Sequence, residues 1–299
     1  MTDIAEYNIL QDAIYPTCND YSLIKNILFI DDSISDYQTF IDSCNETTFS
    51  ILYSFNTDRD KLNTFIREHF TQIDRICFVF HGYTTDSESV IKRFINLENY
   101  YTDIDLEYNV LSYSNNIMFI KNLITDLNIK NCDYLGCNLL NFDSWQKYFD
   151  IIKKDNNVII GASNDNTGNI KYGGDWVLEN TMEDISTIYF TTLIDTYNNL
   201  LLTQVVSGVT IQFTIITSNT VSVNYASGTV TAPGSLSIPQ TVSGTSYNVV
   251  SINPNGSTFA FSNCLNLKSI TIPTTVTSIG MFTFYSISVS FSSLTTLSG

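Results

Sequence analysis

Two residues at the ends of apolar runs have the right types for nucleophilic chemistry. Arg75-Ile-Cys-Phe-Val-Phe80 leads directly into His81-Gly82, and Cys132-Asp-Tyr-Leu135 leads into Gly136-Cys137-Asn138. If the two runs are neighbouring parallel strands, His81 and Cys137 emerge side by side at one edge of a sheet. A thiolate at Cys137 can then attack a carbonyl carbon, while the His81 imidazole holds the proton and returns it to the leaving amine. The backbone N–H groups of Gly82 and Cys137 can face the oxyanion, and the glycines at 82 and 136 leave room for a substrate backbone. Each residue also has a plainer reading. A histidine after a strand is commonly a hydrogen-bonded loop residue, and a cysteine at a strand end is commonly a small hydrophobe.

Acidic and aromatic residues add to this edge. Asp31 and Asp32 follow the apolar run Ile27–Ile30. They could hold a Lys or Arg side chain of a substrate, since a desolvated carboxylate pairs best with an opposite charge. Alternatively, one caps the following helix and the other is solvated. An acidic pair in this place also binds Mg²⁺ in phosphoacceptor receiver domains. That arrangement needs an Asp at the third strand end and a Lys at the fifth, where this chain has His81 and Ala162-Ser163. Trp176, behind the Gly173-Gly174 turn, fits either a hairpin anchor or an aromatic wall of a substrate cleft. His69 sits near a helix end, where it can bond terminal carbonyls. Cys18, Cys44, Cys77, Cys132, Cys137 and Cys264 are too scattered for a disulfide framework, and none has zinc-knuckle spacing. No metal or other cofactor is therefore expected.

The elements that must position these residues can be read from hydrophobic period. Candidate strands are Ile27–Ile30, Phe49–Tyr53, Arg75–Phe80, Cys132–Leu135, Val158–Gly161 and Trp176–Leu178. Between them, apolar residues recur at spacings of three and four: Leu62, Phe65, Ile66 and Phe70; Ile117, Ile120, Leu123 and Leu127; Trp145, Phe149 and Ile152. Short apolar strands alternating with amphipathic helices predict an α/β fold, a mostly parallel sheet with helices on both faces. Ligands in such sheets sit at the carboxyl ends of the strands, where His81, Cys137, Asp31 and Asp32 all fall.

Charge divides the chain. Its 299 residues carry a net charge of −16. From Thr203 to Gly299 the only charged residue is Lys268, and 36 of those 97 positions are Ser or Thr. The excess is thus confined to the first part, at −17 against +1. We place a domain boundary there: 1–202 is the α/β domain and 203–299 a β-rich segment. An acidic surface without basic runs excludes nucleic acid and anionic lipid as partners. No stretch reaches the roughly 18 apolar residues of a membrane span. The start lacks the order of a secretory signal, so a cytoplasmic location is the default expectation.

The β-rich segment repeats itself. Leu236-Ser-Ile238-Pro239-Gln-Thr-Val242 returns as Ile270-Thr-Ile272-Pro273-Thr-Thr-Val276, and Phe259-Ala260-Phe261 as Phe282-Thr283-Phe284. A period in the twenties predicts one short strand and a turn per repeat, stacked as a solenoid. The unit Phe261 to Gly280 resembles the BspA-like class of leucine-rich repeat, which makes Cys264 a buried spine position. Residues 203–234 then form a lead-in of antiparallel strands capping the first repeat. About two units are recognisable, so either that cap completes the stack or the chain is the amino-terminal piece of a longer product.

Five motifs in the first part occur in one order: Phe29-Ile-Asp31-Asp32-Ser33; Phe80-His81-Gly82; Asp133-Tyr-Leu-Gly136-Cys137-Asn138; Gly161-Ala-Ser163-Asn-Asp165-Asn-Thr-Gly168; and Gly173-Gly174-Asp175-Trp176. This order resembles a caspase-like domain of unknown function found at the amino termini of large surface and adhesin-like proteins. The resemblance covers about residues 24 to 182. It implies a caspase/gingipain-type sheet, with His81 and Cys137 as the dyad and Asp31, Asp32 and Trp176 near the substrate. The segment Tyr83-Thr-Thr-Asp-Ser-Glu88 departs from the small, Gly-containing stretch usual after His-Gly, so specificity does not carry over. Two functions follow. One is a cysteine endopeptidase acting on a peptide or protein substrate, with a repeat domain that binds a protein partner. The other is a catalytically inactive caspase-like scaffold in an adhesion or interaction protein.

Overall fold

A computed structural model describes residues 7–10, 13–16, 18, 20–32, 34, 36–54, 57–83, 115–154, 156–217, 219–231, 233–242, 247–252, 260–261, 263–280, 283–284 and 296–298. The loop from Thr84 to Glu88 lies outside them.

The chain opens with a hairpin, β1 (Tyr7–Leu10) and β2 (Ala13–Pro16). Then follow β3 (Asn26–Asp31), α1 (Tyr37–Ser43), β4 (Thr48–Tyr53), α2 (Arg59–His69), β5 (Arg75–Val79) and the two-residue β6 (Gly82–Tyr83). Next come α3 (Asn115–Asp126), β7 (Asn131–Leu135), α4 (Asp143–Lys153) and β8 (Ile159–Ala162). They build one sheet in the order β1-β2-β4-β3-β5-β7-β8, in which β4, β3, β5, β7 and β8 run parallel. The fold is mixed α/β with a mostly parallel central sheet. β3 to β8 read as continuous apolar runs because both faces are covered. No helix among the described residues is long and apolar enough to cross a membrane.

The two faces are covered differently. Leu62, Ile66, Ile120, Leu123, Trp145 and Ile152 from α2, α3 and α4 pack on the face that carries Phe29, Phe78 and Tyr134. The other face carries Leu28, Val79, Leu135 and Cys137. It meets Phe40 of α1, and also Trp176, Tyr189, Tyr197 and the inner side of the β-rich segment, all in one continuous apolar cluster. The expected strand at Trp176–Leu178 is not in the main sheet. β9 (Val177–Leu178) pairs antiparallel with β10 (Glu183–Asp184), followed by the short α5 (Ser186–Tyr189). Three consecutive apolar residues suit a hairpin as well as a buried strand, and residues 179–182 supply the turn, with the Thr181 and Met182 N–H groups donating to the Leu178 carbonyl.

Beyond Leu201, β11 (Leu202–Val206), β12 (Val209–Thr217) and β13 (Thr220–Thr229) form an antiparallel meander. β14 (Ser235–Ser237), β15 (Asn248–Ile252), β16 (Asn263–Leu265), β17 (Ser269–Thr271), β18 (Ser278–Ile279) and β19 (Thr296–Ser298) are short and pair in parallel: β14 with β17 and β17 with β19, β15 with β13 and β18, and β16 with β13. Cys264 is buried, and its thiol donates to the Ala226 carbonyl.

A fully buried carboxylate interrupts the parallel strands. Asp133, in the middle of β7, is 0% exposed. Its Oδ2 accepts from Arg75 Nε at 3.0 Å, Arg75 Nη2 at 2.9 Å and the Tyr189 hydroxyl at 2.5 Å. Arg75 also grips both Glu183 carboxylate oxygens, at 3.1 and 2.8 Å. This cluster ties β5, β7, β10 and α5 together below the strand ends.

Candidate active site

The register places the dyad. Val79 pairs with Leu135 in parallel, and Phe80 N–H donates to the Leu135 carbonyl at 3.1 Å. Phe80-His81 follows the end of β5 and Gly136-Cys137 follows the end of β7, so both leave neighbouring parallel strands at the same end of the sheet. Asp32 likewise follows the last residue of β3, the strand on the other side of β5.

The turn after β7 is sharp. Asn138 has φ 64°, a left-handed conformation that asparagine tolerates, and its N–H donates to the Asp165 carbonyl at 2.7 Å. Cys137 is 0% exposed. Its Sγ accepts from Thr167 N–H at 3.2 Å, and its S–H donates to the Thr167 carbonyl at 3.6 Å. Its own backbone N–H donates to the Leu201 carbonyl at 3.3 Å. Burial pushes the thiol up to about 12.

His81 is 8% exposed, and neither ring nitrogen has a hydrogen-bond partner among the described residues. Burial pulls its pKa down to about 4. Burial thus favours the neutral form of each group, the thiol at Cys137 and the imidazole at His81. The Tyr197 hydroxyl is buried and unpartnered in the same apolar cluster. Burial first, then Cys137, raise its pKa.

The other expected residues are spread around this centre. Gly82 is in β6, paired in parallel with Leu202. Asp31 ends β3 beside Tyr53 and continues the side of Phe29, away from Cys137. Asp32 is exposed. Partial desolvation and the adjacent Asp31 push its carboxyl up to about 6. The structure therefore does not bring the two acids into one pocket. Trp176 is 7% exposed and packs edge-on against Phe40 and beside Phe190 and Tyr197. It anchors α1 to the sheet and presents no open wall. His69 Nδ1–H donates to the Phe65 carbonyl at 2.8 Å, and its ring lies against that of Phe65. All six cysteines are free thiols, with Cys77 and Cys132 inside the sheet.

Asp165, Asp175 and Glu179 bring one carboxylate oxygen each within 4.8 Å of one another. Each already accepts from a loop donor: Ser163 Oγ, Val177 N–H and Asn164 N–H respectively. They fasten the Gly161–Gly168 and Gly173–Glu179 loops to each other.

Sequence reasoning missed one part of the site. The segment Asn199–Leu201, which in sequence only marks a composition break, lies across the dyad. Asn169 N–H donates to the Asn199 carbonyl at 3.3 Å and Leu201 N–H to the Thr167 carbonyl at 3.0 Å. Gly168 and Gly174 make this approach possible. A Cβ on Gly168, whose φ is 142°, would lie 2.7 Å from the Asn199 carbonyl oxygen. One on Gly174 would lie 2.5 Å from the end of the Leu200 side chain and 2.9 Å from the Asn166 carbonyl oxygen.

The model of one family, a domain of unknown function (DUF4347), matches residues 27–201, from the start of β3 to the last residue before β11. The chain belongs to this family. The DUF4347 region thus holds the parallel strands of the central sheet, His81, Cys137 and the covering segment, and it closes on the residue whose carbonyl Cys137 binds. Comparison with curated proteins and with solved structures finds no match.

The buried, neutral His81 sets a pH dependence. The unfolded state takes up a proton near pH 6.5 and the folded state only near 4, so stability falls as pH drops through that window. The loss is at most about 3 kcal/mol at the slope of ~1.4 kcal/mol per pH unit. Asp32, raised to about 6, acts in the opposite sense over the same range. In urea unfolding followed from pH 7 to 4.5, His81→Gln is therefore expected to lose less stability than the wild type. Parallel profiles would show that His81 protonates freely in the fold.

Proposed function

We propose that this DUF4347 protein is a caspase-like cysteine endopeptidase with Cys137 as nucleophile and His81 as acid and base. The observation that carries the reading is that Cys137 and His81 follow the ends of adjacent parallel strands, with the Cys137 N–H already holding the Leu201 carbonyl. That N–H and the one at Gly82 supply the oxyanion donors, which act most strongly in a site closed to water. Proton transfer between a neutral thiol and a neutral imidazole needs no buried charge in the resting state.

The β-rich segment joins the proposal as a BspA-like repeat that binds a protein partner. Parallel pairing of β14, β17 and β19, and of β15 with β18, supports stacked coils of one short strand each. Ser269 Oγ donates to Ser235 Oγ at 2.8 Å, linking equivalent positions of successive coils.

A thiol-reactive peptide probe tests the reading. Wild type is expected to label at Cys137, with Cys137→Ala unlabelled at that site and His81→Ala reduced by about 10²-fold or more, the scale of lost acid–base assistance. Equal labelling of all three would favour the inactive scaffold.

A further inference from the structure

We propose that the Leu201–Leu202 peptide bond is a self-cleavage site, held by the chain's own segment Asn199–Thr203 in the substrate channel of the Cys137/His81 centre. The proposal rests on the peptidase reading above. The segment is bound as an added strand, the way many peptidases and peptide-recognition domains hold extended ligands. On one side, Asn199 and Leu201 bond the backbone of Asn169 and Thr167, and Leu200 forms an antiparallel bridge with Gly168. On the other, Leu202 and Thr203 pair in parallel with Gly82 and Tyr83, directly after His81.

The decisive contact is the Cys137 N–H to the Leu201 carbonyl, 3.3 Å. It places this carbonyl where an oxyanion would form. The Thr167 carbonyl accepts from both the Leu201 N–H and the Cys137 S–H, so the thiol and the peptide converge on one acceptor. Leu201 is 0% exposed within an apolar cluster, so the position before the bond is built for an apolar side chain.

The step balances without a co-reactant other than water. Cys137 Sγ bonds to the Leu201 carbonyl carbon as its proton passes to His81. The C–N bond breaks, and His81 gives that proton to the Leu202 nitrogen. Water, deprotonated by His81, then hydrolyses the Leu201 thioester, returning the proton to Sγ and leaving a Leu201 carboxylate. The apolar cluster spans both products, which therefore stay associated and separate only on denaturation.

The test uses the purified full chain under reducing conditions, read by intact mass and amino-terminal sequencing after denaturation. Wild type is expected to yield two fragments, the second beginning Leu202-Thr203-Gln204. Cys137→Ala and Cys137→Ser, checked for folding by circular dichroism, are expected to remain whole. Cleavage that persists without Cys137, or cleavage elsewhere, overturns the proposal. A chain that stays whole yet labels with the peptide probe overturns self-cleavage and leaves the peptidase reading standing; failure of both removes both.

Discussion

Arg75→Ala is expected to cost about 3 to 5 kcal/mol of folding stability, the range for removing one partner of a buried ion pair. Asp133 has no exposed surface, and only the Tyr189 hydroxyl would remain on its Oδ2. Its Oδ1 already lacks a partner, so the carboxylate cannot compensate by turning. A Cβ at Gly161 would clash with that oxygen, so no side chain at this position of β8 could serve it as a donor. Burial raises the Asp133 pKa, against the pull of Arg75 and Tyr189. Without Arg75 it would rise further, and the folded protein would hold a neutral acid. Urea unfolding at pH 7 measures the cost. The double variant Arg75→Met with Asp133→Asn is expected to recover much of it, because no buried charge is then left unpaired. The Glu183 arm is different: it is more than a third exposed on its side chain, and Glu183→Gln is expected to cost less than about 1 kcal/mol. A cost for Arg75→Ala no larger than that would show the Asp133 pair to be a solvated rim.

How far the site was legible follows from what each signal encodes. Runs such as Ile27–Ile30 and Arg75–Phe80 announced buried parallel strands because both faces are covered. The acids were legible as a pair at the end of a strand, but not their difference: Asp31 still belongs to β3 and continues the Phe29 side, whereas Asp32 is the first residue past it. Trp176 sits where a turn can make a wall or an anchor, and Phe40, 136 positions earlier, decides for the anchor. Asp133 was hidden inside an apolar run. A charge in the centre of a strand flanked by Cys132 and Tyr134 was the available signal, since such a charge must find a partner. The covering segment had no signal of its own. Leu200-Leu201-Leu202 is too short for a period, and its partners lie at Thr167, Cys137 and Gly82, contacts no local pattern records. Gly168 and Gly174 were visible as motif residues, but their reason is the close passage of that distant segment.

That passage leads to the second large effect, a rise of about 30- to 100-fold in the rate at which Cys137 reacts with a small thiol reagent in Gly168→Ala. In the wild type the thiol has no exposed surface, so reaction requires a local opening whose free energy sets the rate. The new Cβ would lie 2.7 Å from the Asn199 carbonyl oxygen and 3.0 Å from Leu200 Cα, and φ of 142° is unfavourable for any side chain. One side must move. Gly168 is held by Asp175 and by the acid-fastened loops, whereas Asn199–Leu201 is a single strand that can lift. Lowering the opening cost by ~2 to 3 kcal/mol gives the stated rise, at a factor of ten per 1.4 kcal/mol. Two comparisons separate this from general destabilisation. Cys77 and Cys132, inside the sheet, should keep their rates if only the strand lifts, and gain with Cys137 if the whole fold loosens. Gly173→Ala supplies the backbone control: φ is 77° there, but a Cβ meets only the Tyr247 hydroxyl at 3.8 Å. It is expected to cost about 1 kcal/mol through strain and to leave the Cys137 rate at its wild-type value. If Gly168→Ala reacts no faster than Gly173→Ala, something other than Asn199–Leu201 shields the thiol. If it reacts faster while remaining folded, the same segment that fills the site also controls access to it.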